Sequence, residues 1–256
     1  MLTVVKVGGG TAGAPDLRAR IAPALARLHD ACGAGLVIVH GGGAEISAWY
    51  RRLDLEVAWY EGLRVTTPEG LRVTSMVLSG WVNKRLVQAL LDGGLPAVGL
   101  SGEDGGILRA RRALDGRIGE VGEVVAVDPG AVRALLTAGF VPVLSPLSRG
   151  LDGAPLNVNA DEAALHLAGG LGADRILMVS DVPGVVAAGA VLGSLHVEEA
   201  RGLLEQGVAT GGMAVKLRQA LIAAERGVDV VIGDEAILSD PGSGTRIHAL
   251  GTVGAA

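Results

Sequence analysis

The chain has 256 residues, 49% of them apolar, yet it contains only one Phe, three Trp and two Tyr. Leu, Val and Ala can therefore build a sizeable core, while aromatic platforms for stacking single-stranded nucleic acid are scarce. A formal charge of -5 argues further against a nucleic-acid partner, so any phosphate chemistry must rest on a few well-placed cations.

The first strand is expected at Leu2 to Val7, apolar except for Lys6, and it runs straight into Gly8-Gly9-Gly10. Ala14 to Ala31 reads as a helix with Pro15 near its first turn. A fully apolar strand follows at Leu36 to Val39, of the kind buried in parallel sheets, then His40-Gly41-Gly42-Gly43 and a helix over Ala44 to Leu53. Glu56 to Val65 suggests a β-hairpin. Pro68 to Leu91 has helical spacing with a break near Gly80.

Ala97 to Leu100 is the next buried strand, and Arg109 to Val125 reads as a β-meander. A helix at Pro129 to Ala138 precedes a strand at Val141 to Leu144. Asn159 to Gly169 carries capping residues and helical packing; Ile176 to Val179 is a strand closed by Ser180-Asp181-Val182-Pro183-Gly184. Helices at Val197 to Gln206 and Met213 to Arg226 lead to a last strand at Val228 to Ile232. Strands alternating with helices, with glycines after strand ends, give an α/β fold with a mostly parallel central sheet. A lobe boundary is expected near residues 165 to 172, and ligands beyond the carboxyl ends of the strands.

One cysteine, Cys32, allows no internal disulfide and fits a reducing compartment. No run of about 18 apolar residues appears, and the N-terminus lacks a signal-peptide pattern, so a cytoplasmic protein without membrane contact is expected.

The 22 basic residues comprise 19 Arg and only three Lys: Lys6, Lys84 and Lys216. Arg and Lys differ most where a compact ammonium is needed. Lys6 lies one residue from the end of an apolar strand, where an unpaired ammonium must snorkel or meet an anion. Lys216 follows Gly211-Gly212-Met213-Ala214-Val215 at a helix start, where a solvated helix lysine is the plain alternative. Lys84, inside a helix after Asn83, reads as a surface residue.

The glycine clusters at 8–10 and 41–43 each follow a strand and precede a helix. Such amides can cradle an anion, though either cluster alone can be a tight turn, and neither fits the dinucleotide or Walker pattern. Asn157, Asn159 and Asp161 share one side of the chain if it is extended, and Asp161 can equally serve a helix dipole. Arg64 can clamp a carboxylate or be plain surface charge.

In order along nearly the whole chain stand Val5-Lys6-Val7-Gly8-Gly9, Val39-His40-Gly41-Gly42-Gly43, Gly62-Leu63-Arg64-Val65-Thr66, Val82-Asn83-Lys84, Val98-Gly99-Leu100-Ser101-Gly102, Asn157-Val158-Asn159-Ala160-Asp161, Ser180-Asp181-Val182-Pro183-Gly184 and Gly211-Gly212-Met213-Ala214-Val215-Lys216. With them the chain resembles the amino acid kinase family, and within it the branch that phosphorylates N-acetyl-L-glutamate. The resemblance implies a three-layer αβα sandwich, with residues 1–168 binding the acyl amino acid and forming a dimer, and residues 169–256 binding ATP.

It also implies roles. Lys6 and Lys216 hold the transferring phosphoryl group, and Asp161 orients them. Gly42, Gly43, Arg64 and Asn157 bind the acceptor. Gly8 and Gly9, the segment Asp181, Val182, Pro183, Gly184, Val185 and Val186, and then Ala209, Thr210 and Gly211 lie against the nucleotide. Mg²⁺ is held mainly by the ATP phosphates, with no protein metal site. The stretch from Gly184 to Val197 lacks the polar residues many relatives carry there. The chain also starts at its first strand, whereas arginine-inhibited relatives carry a preceding helix that links dimers into hexamers; a homodimer without arginine feedback is expected. Alternatives on the same fold are a kinase for carrier-linked aminoadipate or glutamate, and a non-catalytic nucleotide or amino-acid sensor.

Overall fold

The computed structural model describes residues 1–12, 21–33, 35–187 and 189–249. Strand β1 (Thr3–Val7) is buried at every position, and a short helix, α1 (Gly9–Ala12), follows it. The helix expected from Ala14 is described from α2 (Ala22–Cys32) onward; residues 14–20 and Pro15 lie outside the described residues. Next come β2 (Leu36–His40), α3 (Gly43–Arg52) and a hairpin of β3 (Trp59–Tyr60) and β4 (Leu63–Arg64).

Helix α4 (Pro68–Ser75) is capped by the Thr67 hydroxyl and runs into α5 (Asn83–Asp92). The expected break at Gly80 takes the form of a π-helical stretch, Met76–Val82, that keeps the helix continuous. Then follow β5 (Ala97–Ser101), β6 (Leu108–Arg112), β7 (Val121–Val127), α6 (Gly130–Thr137), β8 (Val141–Ser145), β9 (Leu147–Gly150) and β10 (Pro155–Val158).

The second half comprises α7 (Ala160–Leu171), β11 (Arg175–Val179), the hairpin β12 (Val186–Ala187) and β13 (Ala190–Val191), and β14 (Ser194–His196). It ends with α8 (Val197–Glu205), α9 (Gly211–Glu225), β15 (Asp229–Gly233) and β16 (Thr245–His248).

Eight strands form one sheet in the order β14-β16-β15-β11-β1-β2-β8-β5. It is parallel from β15 to β5; β16 pairs antiparallel with β15, and β14 follows β16. The strand expected to be last, β15, is thus followed by an antiparallel one that is too short to announce itself. The segment read as a meander is the antiparallel pair β6–β7, which closes on β9 and β10 into a small four-stranded barrel beside the main sheet.

Period-two alternation sorts the core into two layers. Val4, Val37, Val39, Ile176 and Met178 face α7, α8 and α9; Val5, Val7, Leu36, Ile38, Leu177 and Val179 face α2 through α5. That is the expected three-layer αβα sandwich. Its strands β1, β2, β11 and β15 end together at Val7, His40, Val179 and Gly233, which brings the segments after them to one edge.

Helix α7 is tied to the barrel by Glu162, whose carboxylate accepts the Val124 N–H at 2.6 Å. Burial pushes this carboxyl up to about 7; the Val124 hydrogen bond opposes the shift and Glu123 adds to it. Its ordinary value is 4.5, so between the two the folded protein keeps a proton that the unfolded chain has released. The resulting stabilisation is complete below the lower value and lost as pH rises through the upper one. Glu162→Gln keeps an acceptor for Val124 without the ionisation. It is expected to match the wild type at pH 4.5 and to exceed it by on the order of 1–2 kcal/mol at pH 8. Denaturant melts at both pH values check this, and the same difference at each would refute it.

Candidate active site

Lys6 is 6% exposed, and its Nζ lies 2.7 Å from Asp161 Oδ1. Lys216 reaches the same carboxylate from α9, with Nζ 3.1 Å from Oδ2. Asp161 stands in the first turn of α7, whose N-cap Asn159 accepts the Asp161 N–H at 2.8 Å and so fixes where the carboxylate sits. Burial is the largest influence on the Asp161 carboxyl and works against its charge. The two ammonium groups and their hydrogen bonds outweigh it, holding the carboxyl below its ordinary value. Two cations on one anion leave a surplus positive charge in a sparsely hydrated place, which favours an incoming anion.

Three cavities meet at these residues. The first, of about 190 Å³, is lined by Lys6, Asp161, Gly41 to Gly43, Arg64 and Asn157. The second, of about 740 Å³, is lined by Lys6, Gly8 to Gly10, Ser180, Asp181, Lys216, Asp234 and Glu235. The third, of about 830 Å³, holds Asp161, Ala209, Thr210, Gly211, Gly212 and Lys216 on its walls. Gly9, like Lys6, lines both of the first two. A Cβ there would lie 2.8 Å from the Gly43 nitrogen and 2.9 Å from that of Gly42, so the two glycine loops pack backbone to backbone only because neither carries side chains.

Arg64 is buried in the wall of the smallest cavity. Its Nη2 donates to the Gly43 carbonyl at 2.9 Å and to Ser47 Oγ at 2.7 Å. The guanidinium lies 4.4 Å from the Trp59 ring centroid and 5.3 Å from that of Tyr50, while Nη1 is buried with no partner. A guanidinium fixed on one nitrogen with the other unsatisfied is suited to capturing a carboxylate. Asn157 is oriented by donating to Thr66 Oγ1 at 3.1 Å.

The structure thus gathers Lys6, Asp161, Lys216, Gly8, Gly9, Gly42, Gly43, Arg64 and Asn157 around one point, with Asp181 and the segment Ala209 to Gly211 beside it. The segment Val182 to Val186 does not line these three cavities. Val185 packs in the core with its N–H on Thr245 Oγ1, and Val186 lies in the β12–β13 hairpin. Residues left without a role by the sequence reading include Trp59, Ser47, Asp234 and Glu235; Asn159, read there as a capping residue beside Asp161, lines the first and third cavities. Asp234 and Glu235 had a legible signal, since they follow the end of β15 as Ser180 and Asp181 follow that of β11. Trp59 and Ser47 had none, because both act through Arg64. Lys84, read as a surface residue, is exposed, yet it donates to Asn83 Oδ1 and the Gly99 carbonyl.

Comparison with known proteins fits this geometry. Residues 1–234 match the amino acid kinase family. The acetylglutamate kinase of Synechococcus sp. (strain RCC307) is 41% identical over 229 residues, covering 88% of this chain and 77% of that protein. That of Geobacillus thermodenitrificans (strain NG80-2) is 46% identical over 192 residues, covering 75% and 74%. Among solved structures, smu.665 from Streptococcus mutans UA159 superposes with a TM-score of 0.84 at 29% identity, covering 96% of this chain and 98% of that one. Carbamate kinase from Giardia lamblia bound to AMP-PNP shares the fold, with a TM-score of 0.73 at 18% identity over 97% and 98% of the two chains. The chain belongs to the amino acid kinase family.

Proposed function

We propose that the protein transfers the γ-phosphoryl group of ATP to the side-chain carboxylate of N-acetyl-L-glutamate, forming N-acetyl-L-glutamyl 5-phosphate for arginine biosynthesis. The observation that carries this reading is the Lys6–Asp161–Lys216 cluster at the junction of a small cavity with a carboxylate clamp and a larger one walled by glycine amides. Acetylglutamate kinases at 41–46% identity support the choice of substrate.

In this reading Arg64 and Asn157 hold the acceptor, and the Gly42 and Gly43 amides face the oxygen that attacks. Gly8 and Gly9 support the nucleotide's phosphates, and Asp181 and Ala209 to Gly211 border the nucleotide. The segment Val182 to Val186 is given no nucleotide contact in this reading, since the Val185 N–H donates to Thr245 Oγ1 and its carbonyl accepts the Leu192 N–H. Lys6 and Lys216 neutralise the charge that spreads over the phosphoryl oxygens in flight, and Asp161 keeps both ammonium groups in place. Residues 1–168 form the acceptor lobe and residues 169–256 the nucleotide lobe.

Among the described residues no group of three or more His, Cys, Asp or Glu side chains converges to hold a metal ion. Asp181, Asp234 and Glu235 line the phosphate-side cavity and suit outer contacts to an ion carried in on phosphate oxygens. When bound, Mg²⁺ supplies further neutralisation of those oxygens. A cytoplasmic homodimer belongs to the same reading. Among the described residues no helix is long and apolar enough to cross a membrane, and Met76 and Trp81 expose apolar surface on the π-helical stretch.

ATP consumption with N-acetyl-L-glutamate, against glutamate, aspartate and carrier-linked aminoadipate, tests the assignment; turnover confined to one of the competitors, or none at all, would overturn it. Lys216→Arg keeps the charge but not the compact ammonium, and kcat is expected to fall roughly a hundredfold with an unchanged circular-dichroism melt. Near-normal kcat would remove Lys216 from the transition state. Arg64→Lys is expected to raise KM for N-acetyl-L-glutamate about tenfold or more while leaving KM for ATP alone. Parallel changes in both constants would show that Arg64 serves the fold rather than the acceptor.

A further inference from the structure

His40 closes β2 directly before the glycine loop and is completely buried. Its Nδ1 lies 3.0 Å from the Gly41 carbonyl and its Nε2 3.0 Å from Asn83 Nδ2. The Asn83 amide has one orientation that satisfies its surroundings. Its nitrogen also faces the carbonyls of Val143 at 2.9 Å and Leu100 at 3.4 Å, and its oxygen accepts from Lys84 Nζ at 3.1 Å. Turned over, the amide would set an oxygen against two carbonyls and a nitrogen against an ammonium. An amide nitrogen only donates, so Nε2 of His40 accepts and the ring proton sits on Nδ1, donated to Gly41.

Lys84 extends the chain of contacts by donating to the Gly99 carbonyl at 3.2 Å. A Cβ on Gly99 would fall 2.0 Å from Asn83 Oδ1 and 2.6 Å from Lys84 Nζ, so β5 carries glycine where this pair crosses it. Three sequence stretches left without a role in the chemistry, around His40, Asn83-Lys84 and Gly99, thereby become one network.

We propose that His40, Asn83 and Lys84 are positioning residues that, through the Nδ1-protonated tautomer of His40, hold the Gly41–Gly42 peptide in the orientation the acceptor cavity requires. The inference rests on the acceptor reading of that cavity given above. Consecutive glycines impose no side-chain restraint, so hydrogen bonds decide how their peptides turn. In a trans peptide the C=O and the following N–H point opposite ways. With the Gly41 oxygen drawn to the buried ring, the Gly42 N–H is turned away from it. The Gly42 nitrogen lies against Gly9, and Gly9, Gly41 and Gly42 all line the cavity. Burial draws the imidazole down to about 4; the Gly41 hydrogen bond opposes this and the Lys84 charge adds to it, so the ring stays neutral around pH 7.

The test has two independent readouts. A long-range ¹H–¹⁵N NMR spectrum of the wild type at pH 7 is expected to show His40 protonated on Nδ1, the less common tautomer of a neutral imidazole in water. His40→Asn places an amide nitrogen near the Nδ1 position and can keep the Gly41 contact, whereas His40→Gln reaches toward Asn83 and abandons it. With N-acetyl-L-glutamate, kcat is expected to fall about threefold in the first and about thirtyfold in the second, with KM for ATP unchanged. Lys84→Met changes an exposed residue and is expected to lower kcat about threefold without altering the melt. Should both ring variants fail to fold, the wild-type tautomer and the Lys84→Met rate decide. A ring protonated on Nε2, or equal losses in the two His40 variants, would overturn the proposal. A wild type silent on every acceptor would defeat the functional reading instead, and the tautomer would still judge the network.

Discussion

Two lysines 210 residues apart in sequence share one buried carboxylate, and much of the site's construction follows from keeping that arrangement soluble in a protein interior. An ammonium in the wall of an apolar sheet is costly alone, and so is a carboxylate. Asp161 makes both lysines tolerable, and the lysines keep Asp161 ionised. The balance is left uneven by one positive charge. The cluster opens onto cavities on either side, one of which also carries Asp181, Asp234 and Glu235 on its wall.

The fold supplies each partner from a different element, and the reasons are local. Lys6 is presented by the central strand one residue before its end, deep enough to be buried and late enough to reach the edge. Asp161 is set by the Asn159 cap of α7, where the helix dipole also favours a carboxylate. Lys216 lies in the second turn of α9, a helix that opens on Gly211-Gly212. Parallel strands ending together bring the loops after β1, β2, β11 and β15 to the same edge. None of these elements would hold a phosphoryl group by itself.

Much of this was legible in sequence because it depends on short-range chemistry. The apolar strands, the capped helix after Asn159 and the glycine clusters after strand ends each carry their own signal, and the count of three lysines singled out Lys6 and Lys216. What escaped were features decided by contacts distant in sequence. β16 is four residues long and forms by pairing with β15; β9 and β10 exist as partners within a closed barrel. Lys84 resisted assignment for the same reason: its partners are the neighbouring amide and a carbonyl on β5, fifteen residues away. Trp59 and Ser47 became meaningful once Arg64 was seen between them.

The ionisable groups on the acceptor cavity also limit what can be phosphorylated there. Among the described residues lining it they are Lys6, Arg64 and Asp161. The Arg64 guanidinium offers only donors, and Asp161, held below the ordinary carboxyl range by the two ammonium groups that outweigh its burial, is a poor acceptor of a proton. The nearby imidazole of His40 is buried, drawn down to about 4 and engaged on both nitrogens. Among the described residues, no group on this wall is therefore poised to deprotonate an alcohol, whose hydroxyl would need a base near its own proton. A carboxylate needs none, being ionised at pH 7. Its negative charge is also what the unpartnered Arg64 nitrogen and the surplus positive charge of the Lys6–Asp161–Lys216 cluster favour, so electrostatics on this wall agree with the proposed carboxylate acceptor.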